Sequence, residues 1–241
     1  MIPKIIHYCW FGKGEKPSKI KECIDSWKKV LDGYEIIEWN EDNFNVNELE
    51  YTKEAYKAKK YAFVSDVARV KALYEYGGIY LDTDVMVYKT FDQVLDHQCV
   101  LGFEQDNYIA TSFMACIPCY SLMKEFYNLY SYLSFYDDKG NMIPGTNVSK
   151  LTNMLLEKGL VRNNKFQVLD DDIAIYPQEY FSPYDYGYCF HNNSENTICE
   201  HLFLVSWLPK TTLITRQIKK VLVIFIGKNG IKKMRKLICR K

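Results

Sequence analysis

The fold is decided by the stretch YGGIYLDTDV at residues 76–85. Its glycine pair, Gly77-Gly78, ends a helix and lets a ligand approach the backbone closely, and the apolar residues behind it predict a buried strand. Asp82 and Asp84 follow at positions i and i+2, which share one face of an extended chain. Two like charges at this spacing repel unless a proton or a cation lies between them. The stretch therefore predicts a divalent-metal site with open positions for phosphate oxygens, the alternative being two solvated aspartates.

The helix before this strand carries the segment Ser65-Asp66-Val67-Ala68-Arg69. Asp66 and Arg69 share a helix face, and their apolar neighbours indicate that the helix packs beneath the acidic strand. In one interpretation the two residues form an ordinary surface ion pair. In the other, the carboxylate accepts ribose hydroxyls while the guanidinium binds ribose or phosphate through several donors. The residues alone leave both interpretations open.

Two further segments carry candidate ligand-binding side chains. The first strand ends in HYCWFG at residues 7–12, where Trp10 could stack on a nucleobase or pack in the core. Much later in the chain, His201 precedes an apolar run that leads into Ser206 and Trp207. Each of these residues has a plain structural explanation by itself, so their roles depend on where the fold places them.

Strand-like and helix-like segments alternate along the chain. The predicted elements are strands at 2–9 and 34–39 and helices from residue 18 to about 31 and at about 48–60, 62–76, 119–133 and 148–158. This alternation predicts an α/β fold with a mostly parallel sheet covered by helices on both faces. In open sheets of this kind, ligands bind at the carboxyl ends of the strands, where Asp82 and Asp84 would lie.

Charge is unevenly distributed along the 241 residues. The chain holds 31 Lys and Arg and 30 Asp and Glu, a net charge of +1. Residues 210–241 contain eleven of the basic residues and no acidic one, so residues 1–209 carry a net charge of −10. The basic, partly apolar segment 215–241 predicts contact with an anionic membrane surface, the alternative being a solvated tail. Because the body is acidic and this segment holds a single aromatic residue, nucleic acid is not an expected partner.

The cysteines and the apolar runs predict where the protein is located. The eight cysteines are scattered, several within apolar runs, which is typical of buried thiols in a reducing compartment. The first residues lack the apolar core of a signal peptide, and the run at 221–226 is too short to cross a bilayer. We therefore expect a cytoplasmic protein, with peripheral attachment to the inner face of the plasma membrane.

Taken together and in order, these segments resemble one family. The chain resembles the DXD sugar transferases of glycosyltransferase family 32, in particular their bacterial capsular-polysaccharide members. The resemblance covers about residues 2–209 and rests on IPKIIHYCWFG, SDVAR, GGIYLDTDV, LGFE, YPQEYFSP and HLFLVSW. It implies a single GT-A domain at 1–209, Rossmann-like, with a mostly parallel central sheet flanked by helices. It also implies retaining transfer of a sugar from a nucleotide sugar, favouring a UDP-sugar, to a surface-polysaccharide or lipid-linked glycan acceptor.

The same resemblance assigns residues to the nucleotide sugar. Trp10 would stack on the base, and Asp66 and Arg69 would hold the nucleoside and the donor sugar. Ser206 and Trp207 would form a lid that touches the β-phosphate.

It also implies a metal cofactor, Mn²⁺ or Mg²⁺. Asp84 would be the principal ligand, Asp82 would contact both the metal and the ribose, and His201 would meet the metal or the diphosphate. A metal held by Asp84, assisted by Arg69 or His201, would neutralise the charge that develops on the departing diphosphate. Asp82, Asp84 and Arg69 are therefore the expected catalytic residues.

Two other functions fit parts of the pattern. The segment LDTDV also resembles the first motif of haloacid-dehalogenase-like phosphatases, with Asp82 as nucleophile and Asp170-Asp171-Asp172 as later metal-binding acids. The other alternative is a non-catalytic module that binds sugar nucleotides. The phosphatase would leave the SDVAR helix and the Ser-Trp segment without a role, and binding alone does not require a metal-holding aspartate pair.

Overall fold

The main elements of the described part of the protein are a seven-stranded central sheet, two two-stranded sheets and six α-helices. The computed structural model describes residues 1–143, 145–186 and 190–204. The strands are β1 (Ile5–Cys9), β2 (Glu35–Trp39), β3 (Gly78–Leu81), β4 (Val85–Val87), β5 (Cys99–Gly102), β6 (Phe113–Cys116), β7 (Gln167–Leu169), β8 (Ile173–Tyr176), β9 (Tyr184–Asp185), β10 (Phe190–His191) and β11 (Cys199–His201). The helices are α1 (Ser18–Val30), α2 (Glu50–Lys57), α3 (Tyr61–Tyr76), α4 (Ser121–Ser131), α5 (Asn147–Glu157) and α6 (Gln178–Phe181).

Seven strands form the central sheet in the order β2-β1-β3-β6-β5-β8-β7. Five of them run in one direction, whereas β6, inside the sheet, and β7, at its edge, run antiparallel to their neighbours. A separate antiparallel pair joins β4 to β11 and sets His201 opposite Val85. These connections confirm the α/β class and the Rossmann-like, mostly parallel, helix-flanked sheet expected of the GT-A fold.

Helix α3 positions the residues that precede the acidic pair. Its apolar positions Val64, Val67 and Val70 are fully buried, and the helix packs against α2, α4, β1 and β3. The helical spacing of apolar residues predicted this element correctly, with a start one residue later than observed. Because α3 leads straight into β3, its Asp66 and Arg69 lie beside the end of that strand.

The glycine pair connects α3 to β3 where no larger residue fits. Gly77 and Gly78 have φ angles of +64° and +93°. A Cβ on Gly77 would stand 2.6 Å from the Pro118 nitrogen, and one on Gly78 would stand 2.6 Å from the Ile5 carbonyl oxygen. The glycine pair therefore allows the close approach of neighbouring protein backbone. The expectation that it allows the close approach of a ligand is wrong.

Beside this connection, His7 is buried in its neutral form. Its Nε2 lies 2.9 Å from the Gly77 carbonyl oxygen, and Trp39 Nε1 donates to its Nδ1 at 3.1 Å. Burial penalises the charged ring more than the Gly77 carbonyl favours it, so the pKa of His7 is lowered to about 4. The ring therefore donates from Nε2 and accepts at Nδ1, an arrangement that protonation would destroy.

Acidification is expected to destabilise the protein through His7. The unfolded chain takes up this proton near pH 6.5 and the folded chain only near pH 4, so stability is complete above pH 6.5 and falls as the pH drops. Between pH 7 and pH 5 the expected loss is about 2 kcal/mol. Urea unfolding of the wild type and of His7→Gln at both pH values measures this contribution. Between pH 7 and pH 5, His7→Gln should lose about 2 kcal/mol less stability than the wild type. An equal loss in both proteins would contradict the prediction.

Some predicted features lie outside the described residues. Ser206 and Trp207, the expected lid, and the basic segment 215–241 all belong to residues 205–241. Their roles, and the domain boundary after residue 209, stay predictions. Within the described ranges, no helix combines the length and the apolar character that a membrane crossing requires.

Candidate active site

A cleft of about 770 Å³ lies along the carboxyl ends of β1 and β3. Its walls come from the loop after β1, from α3, from the turn after β3, from the start of α5 and from the segment that follows β11. All six candidates within the described residues line it: Trp10, Asp66, Arg69, Asp82, Asp84 and His201. Its volume is in the range of natural small-molecule sites. The fold thus collects the candidates from distant parts of the chain into one binding site.

Asp82 and Asp84 reach the cleft through a turn. Strand β3 ends at Leu81, and the Val85 amide donates to the Asp82 carbonyl at 3.0 Å. The prediction that the two carboxylates share a face of an extended strand is therefore wrong, because the chain turns before Asp84. The turn nevertheless brings both residues together with His201. One ligand atom from each of the three lies within 4.8 Å of the other two.

Asp84 is fixed by the segment that follows β11. Its Oδ1 lies 3.2 Å from His201 Nε2, its Oδ2 accepts from the Leu204 amide at 2.7 Å, and its carbonyl accepts from the Leu202 amide at 3.0 Å. Burial alone would raise the pKa of Asp84, but His201 and the Leu204 amide outweigh it and lower the pKa. The carboxylate likewise raises the pKa of His201 against the effect of its burial. Asp84 is therefore kept ionised, the form in which a carboxyl group binds a cation.

Arg69 connects the two acidic segments inside the protein. Its guanidinium lies 3.0 Å from Asp66 Oδ1 and 3.2 Å from Asp82 Oδ1. It also donates to the Thr111 carbonyl at 2.6 Å and lies over the Tyr80 ring. Only 5% of Arg69 is exposed, so the interpretation as a surface ion pair is wrong. Tyr80 donates to Asp82 Oδ1 at 2.9 Å, while Asp82 Oδ2 has no partner among the described residues.

Two carboxyl groups of the cleft are hard to ionise. Burial raises the pKa of Asp66 to about 6, although the charge of Arg69 opposes the shift. Burial also raises the pKa of Glu104 to about 7, where His201 opposes the shift and Asp82 adds to it. Carboxyl groups perturbed in this way inside a cleft are typical of functional sites.

Trp10 forms part of the cleft wall just after β1. Its Nε1 donates to the Gly14 carbonyl at 2.7 Å, and Lys16 Nζ lies 5.4 Å from the centroid of the indole ring. Glu38 in turn accepts from Lys16 at 2.7 Å. These contacts hold the indole while leaving it partly exposed, as stacking on a nucleobase requires.

The donor set of Asp82, Asp84 and His201 fits a divalent cation. Carboxylates favour hard cations and an imidazole favours a transition metal, a combination that suits Mn²⁺ better than Mg²⁺. In addition, His201 Nδ1 is buried and has no hydrogen-bond partner among the described residues. These three residues would hold the cation near the carboxyl end of β3.

Several residues that shape the site were missed by the sequence analysis. Tyr80 resembles any other apolar residue of a buried strand. Thr111 and Leu204 act through backbone groups, which leave no trace in a motif. Asn147, at the start of α5, also lines the cleft and belongs to none of the motifs.

Comparison with known families adds to this geometry. The family described as glycosyltransferase sugar-binding region containing DXD motif matches residues 17–101. This region of the chain is thus similar to the DXD glycosyltransferase family. The matched region contains four of the six candidate residues that line the cleft, namely Asp66, Arg69, Asp82 and Asp84.

Two curated relatives match part of the chain. An uncharacterized glycosyltransferase of Acanthamoeba polyphaga mimivirus is 37% identical over 109 residues, 43% of this chain and 42% of that protein. Inositol phosphoceramide mannosyltransferase 3 of Schizosaccharomyces pombe is 36% identical over 104 residues, 40% of this chain and 28% of that protein. The chain thus spans less than half of the length of either relative. Among solved structures, a glycosyltransferase involved in glycosylation of the major capsid of PBCV-1 is 11% identical, with a TM-score of 0.48, over 90% of this chain and 100% of that one.

The second acidic cluster does not support the phosphatase alternative. Asp170-Asp171-Asp172 directly precedes β8, which runs in the same direction as β3. The cluster therefore lies at the opposite edge of the sheet from Asp82 and cannot share a metal with it. Asp172 instead pairs with His97 at 2.6 Å.

Proposed function

We propose that this chain is a metal-dependent, retaining glycosyltransferase that moves a sugar from a nucleotide sugar to a glycan acceptor. A UDP-sugar is the favoured donor. The observation that carries the proposal is that the DXD carboxylates and His201 lie in one cleft with the buried Asp66–Arg69 pair. Transfer from a nucleotide sugar must stabilise a diphosphate as the leaving group, and a cation held in such a site would provide that stabilisation.

The residues of the triad would hold the cation. When bound by Asp84, Asp82 and His201, Mn²⁺ supplies positive charge to the diphosphate as the bond to the sugar breaks. Arg69 already donates to protein groups from Nε, Nη1 and Nη2. We therefore assign Arg69 chiefly to fixing Asp66 and Asp82, and only secondarily to direct contact with the donor.

The remaining assignments concern the nucleotide sugar. Trp10 would stack on the base, and Asp66 would accept hydrogen bonds from hydroxyl groups of the donor. Ser206 and Trp207 would close over the β-phosphate.

The acceptor is proposed to be a growing surface polysaccharide or a lipid-linked glycan. A lipid-linked acceptor would give the basic segment 215–241 a purpose, because it would hold the enzyme at the anionic membrane that carries the acceptor. Co-sedimentation with anionic vesicles, with and without that segment, tests this part of the proposal.

Release of nucleotide in the absence of an acceptor tests the proposed activity. The purified chain is incubated with Mn²⁺ and each of UDP-glucose, UDP-galactose, UDP-N-acetylglucosamine and GDP-mannose. One donor is expected to release its nucleoside diphosphate slowly as water takes the place of the acceptor, and EDTA should stop the release. The same donor with Mn²⁺ should raise the unfolding temperature, because ligands that bind only the folded state stabilise it.

The alternatives give different results in the same assay. A phosphatase would release phosphate from a simple ester such as p-nitrophenyl phosphate. A binding module would be stabilised by a nucleotide sugar and would release nothing. Either result would contradict the proposed transferase.

A further inference from the structure

Asn147 places an unpaired hydrogen-bond donor in the wall of the cleft. It is the first residue of α5, is only 4% exposed and lines the cleft together with Asp66 and Arg69. Its Oδ1 accepts from the Tyr130 hydroxyl at 2.8 Å. Its Nδ2 is buried and has no hydrogen-bond partner among the described residues. A buried donor without a partner costs free energy, so its retention at the wall of a binding cleft suggests that a ligand completes it.

Asp66 decides which way the Asn147 amide points. Asn147 faces the Asp66 carboxyl as a hydrogen-bond donor and lowers its pKa, but Nδ2 has no acceptor within normal hydrogen-bond distance among the described residues. The reverse orientation would set the amide oxygen against the carboxylate and would be repulsive. Asp66 Oδ1 is taken by Arg69, whereas Oδ2 has no partner among the described residues. The Asn147 donor therefore faces the Asp66 carboxylate without being satisfied by it at normal hydrogen-bond distance.

We propose that Asn147 and Asp66 together bind one hydroxyl group of the donor sugar and thereby select the sugar that is transferred. This inference rests on the proposed function and adds a specificity-determining residue to it. A hydroxyl group can accept from Asn147 Nδ2 and donate to Asp66 Oδ2 at the same time. A deoxy position can do neither, and a phosphate would be repelled by Asp66. The class of substrate is thus a sugar with a free hydroxyl at this position.

Rigid surroundings make the pair selective. Thr146 caps α5: its Oγ1 accepts from the Ser149 amide at 3.1 Å, and Ser149 Oγ accepts from the Thr146 amide at 3.2 Å. Tyr130, from α4, holds the Asn147 amide, and Arg69 holds Asp66. The Asn147 amide and the Asp66 carboxylate are held in place and cannot turn towards other partners when the hydroxyl group is missing. A deoxy sugar therefore loses binding free energy that no other contact replaces.

Donors that lack one hydroxyl test the inference. The probes are the most active nucleotide sugar of the panel and its single-deoxy derivatives, with Mn²⁺ and without an acceptor. For the wild type, kcat/KM should fall on the order of 10- to 100-fold with one derivative. With the parent donor, kcat/KM of Asn147→Ala should lie below that of the wild type by a similar factor. Removing the same hydroxyl group from the donor should then lower kcat/KM of the variant by a smaller factor than it does for the wild type. Its Kd for the free nucleoside diphosphate should stay within about twofold, because Asn147 is proposed to bind the sugar and not the nucleotide.

Matched variants separate recognition from folding. Asn147→Asp keeps an oxygen for the Tyr130 hydroxyl but replaces the donor by a carboxyl oxygen that faces Asp66, so it should lose at least as much activity as Asn147→Ala does. The double variant Asn147→Ala/Tyr130→Phe, compared with Tyr130→Phe, removes the amide without leaving a buried hydroxyl unpaired. Asn153→Ala makes the same substitution at an exposed position of α5 and should leave all constants unchanged.

Three outcomes would overturn the inference. In the first, Asn147→Ala weakens the parent donor and the nucleoside diphosphate equally, which indicates a general effect on the cleft. In the second, the variant discriminates against the deoxy donor as strongly as the wild type does. In the third, the wild type releases nucleotide from no member of the panel, which refutes the proposed function and removes the basis of the inference.

Discussion

Replacing Asp84 by asparagine is expected to lower kcat/KM for nucleotide-sugar cleavage on the order of 10³-fold. The carboxamide still offers an oxygen to the Leu204 amide, which donates to Asp84 at 2.7 Å. It lacks the negative charge that pairs with His201 and would hold the cation. The loss should therefore arise from cation binding while the turn keeps its shape. Initial rates of nucleotide release over a range of Mn²⁺ concentrations measure it.

Thermal unfolding shows whether Asp84→Asn loses activity because it no longer binds the cation or because it no longer folds. Asp84→Asn should unfold cooperatively but should no longer be stabilised by Mn²⁺. Asp32→Asn is the matched control, because Asp32 is exposed and precedes β2 at the opposite edge of the sheet. Its activity and its response to Mn²⁺ should equal those of the wild type. Undiminished activity in Asp84→Asn would refute the assignment of Asp84 as the principal ligand.

Replacing Arg69 by methionine is expected to lower the free energy of unfolding by about 3–5 kcal/mol. The substitution leaves Asp66 and Asp82 largely buried without the guanidinium that lies 3.0 Å and 3.2 Å from them. It also leaves the Thr111 carbonyl without its donor. Because burial already raises the pKa of Asp66 to about 6, and would raise it further without Arg69, the deficit should shrink as the pH falls and Asp66 takes up a proton. Urea unfolding at several pH values measures both effects.

Two additional variants sharpen the Arg69 experiment. Asp66→Asn combined with Arg69→Met should recover part of the lost stability, because one of the uncompensated carboxylates is removed. Arg162→Met makes the same substitution at an exposed arginine that donates to the Asp106 and Asn107 carbonyls, and it should cost less than about 1 kcal/mol. If Arg69→Met were no more destabilising than Arg162→Met, the buried network would contribute little to stability.

The sequence predicted those parts of the site that depend on local periodicity. Asp66 and Arg69 follow helix spacing, and the apolar run before Asp82 follows strand composition, so their placement near the carboxyl end of β3 was predictable. The turn between Asp82 and Val85 was not, because Thr83 carries no strong turn signal and the aspartates continue an apolar strand. The i, i+2 spacing therefore identified the correct pair of aspartates, although Asp82 and Asp84 come together through a turn and not on one face of a strand.

Contacts between distant segments could not be derived from the residues themselves. Leu204 donates to Asp84 from 120 positions away, and only the resemblance to a family placed His201 near the metal. Asn147 entered no motif, because a buried amide at the start of a helix has the same local sequence whether it serves packing or a ligand. Its meaning depends on Tyr130 and Asp66, which the fold brings to it from other elements.

The pairing of β4 with β11 also has a consequence for biosynthesis. A ribosome delivers β1 to β8, with both aspartates, well before it delivers residues 199–204. A nascent chain that stops short of residue 201 contains every strand of the central sheet, but it lacks the imidazole and the backbone donors that fix Asp84. The surroundings of Asp84 are therefore completed only after the segment that follows β11 has been synthesised.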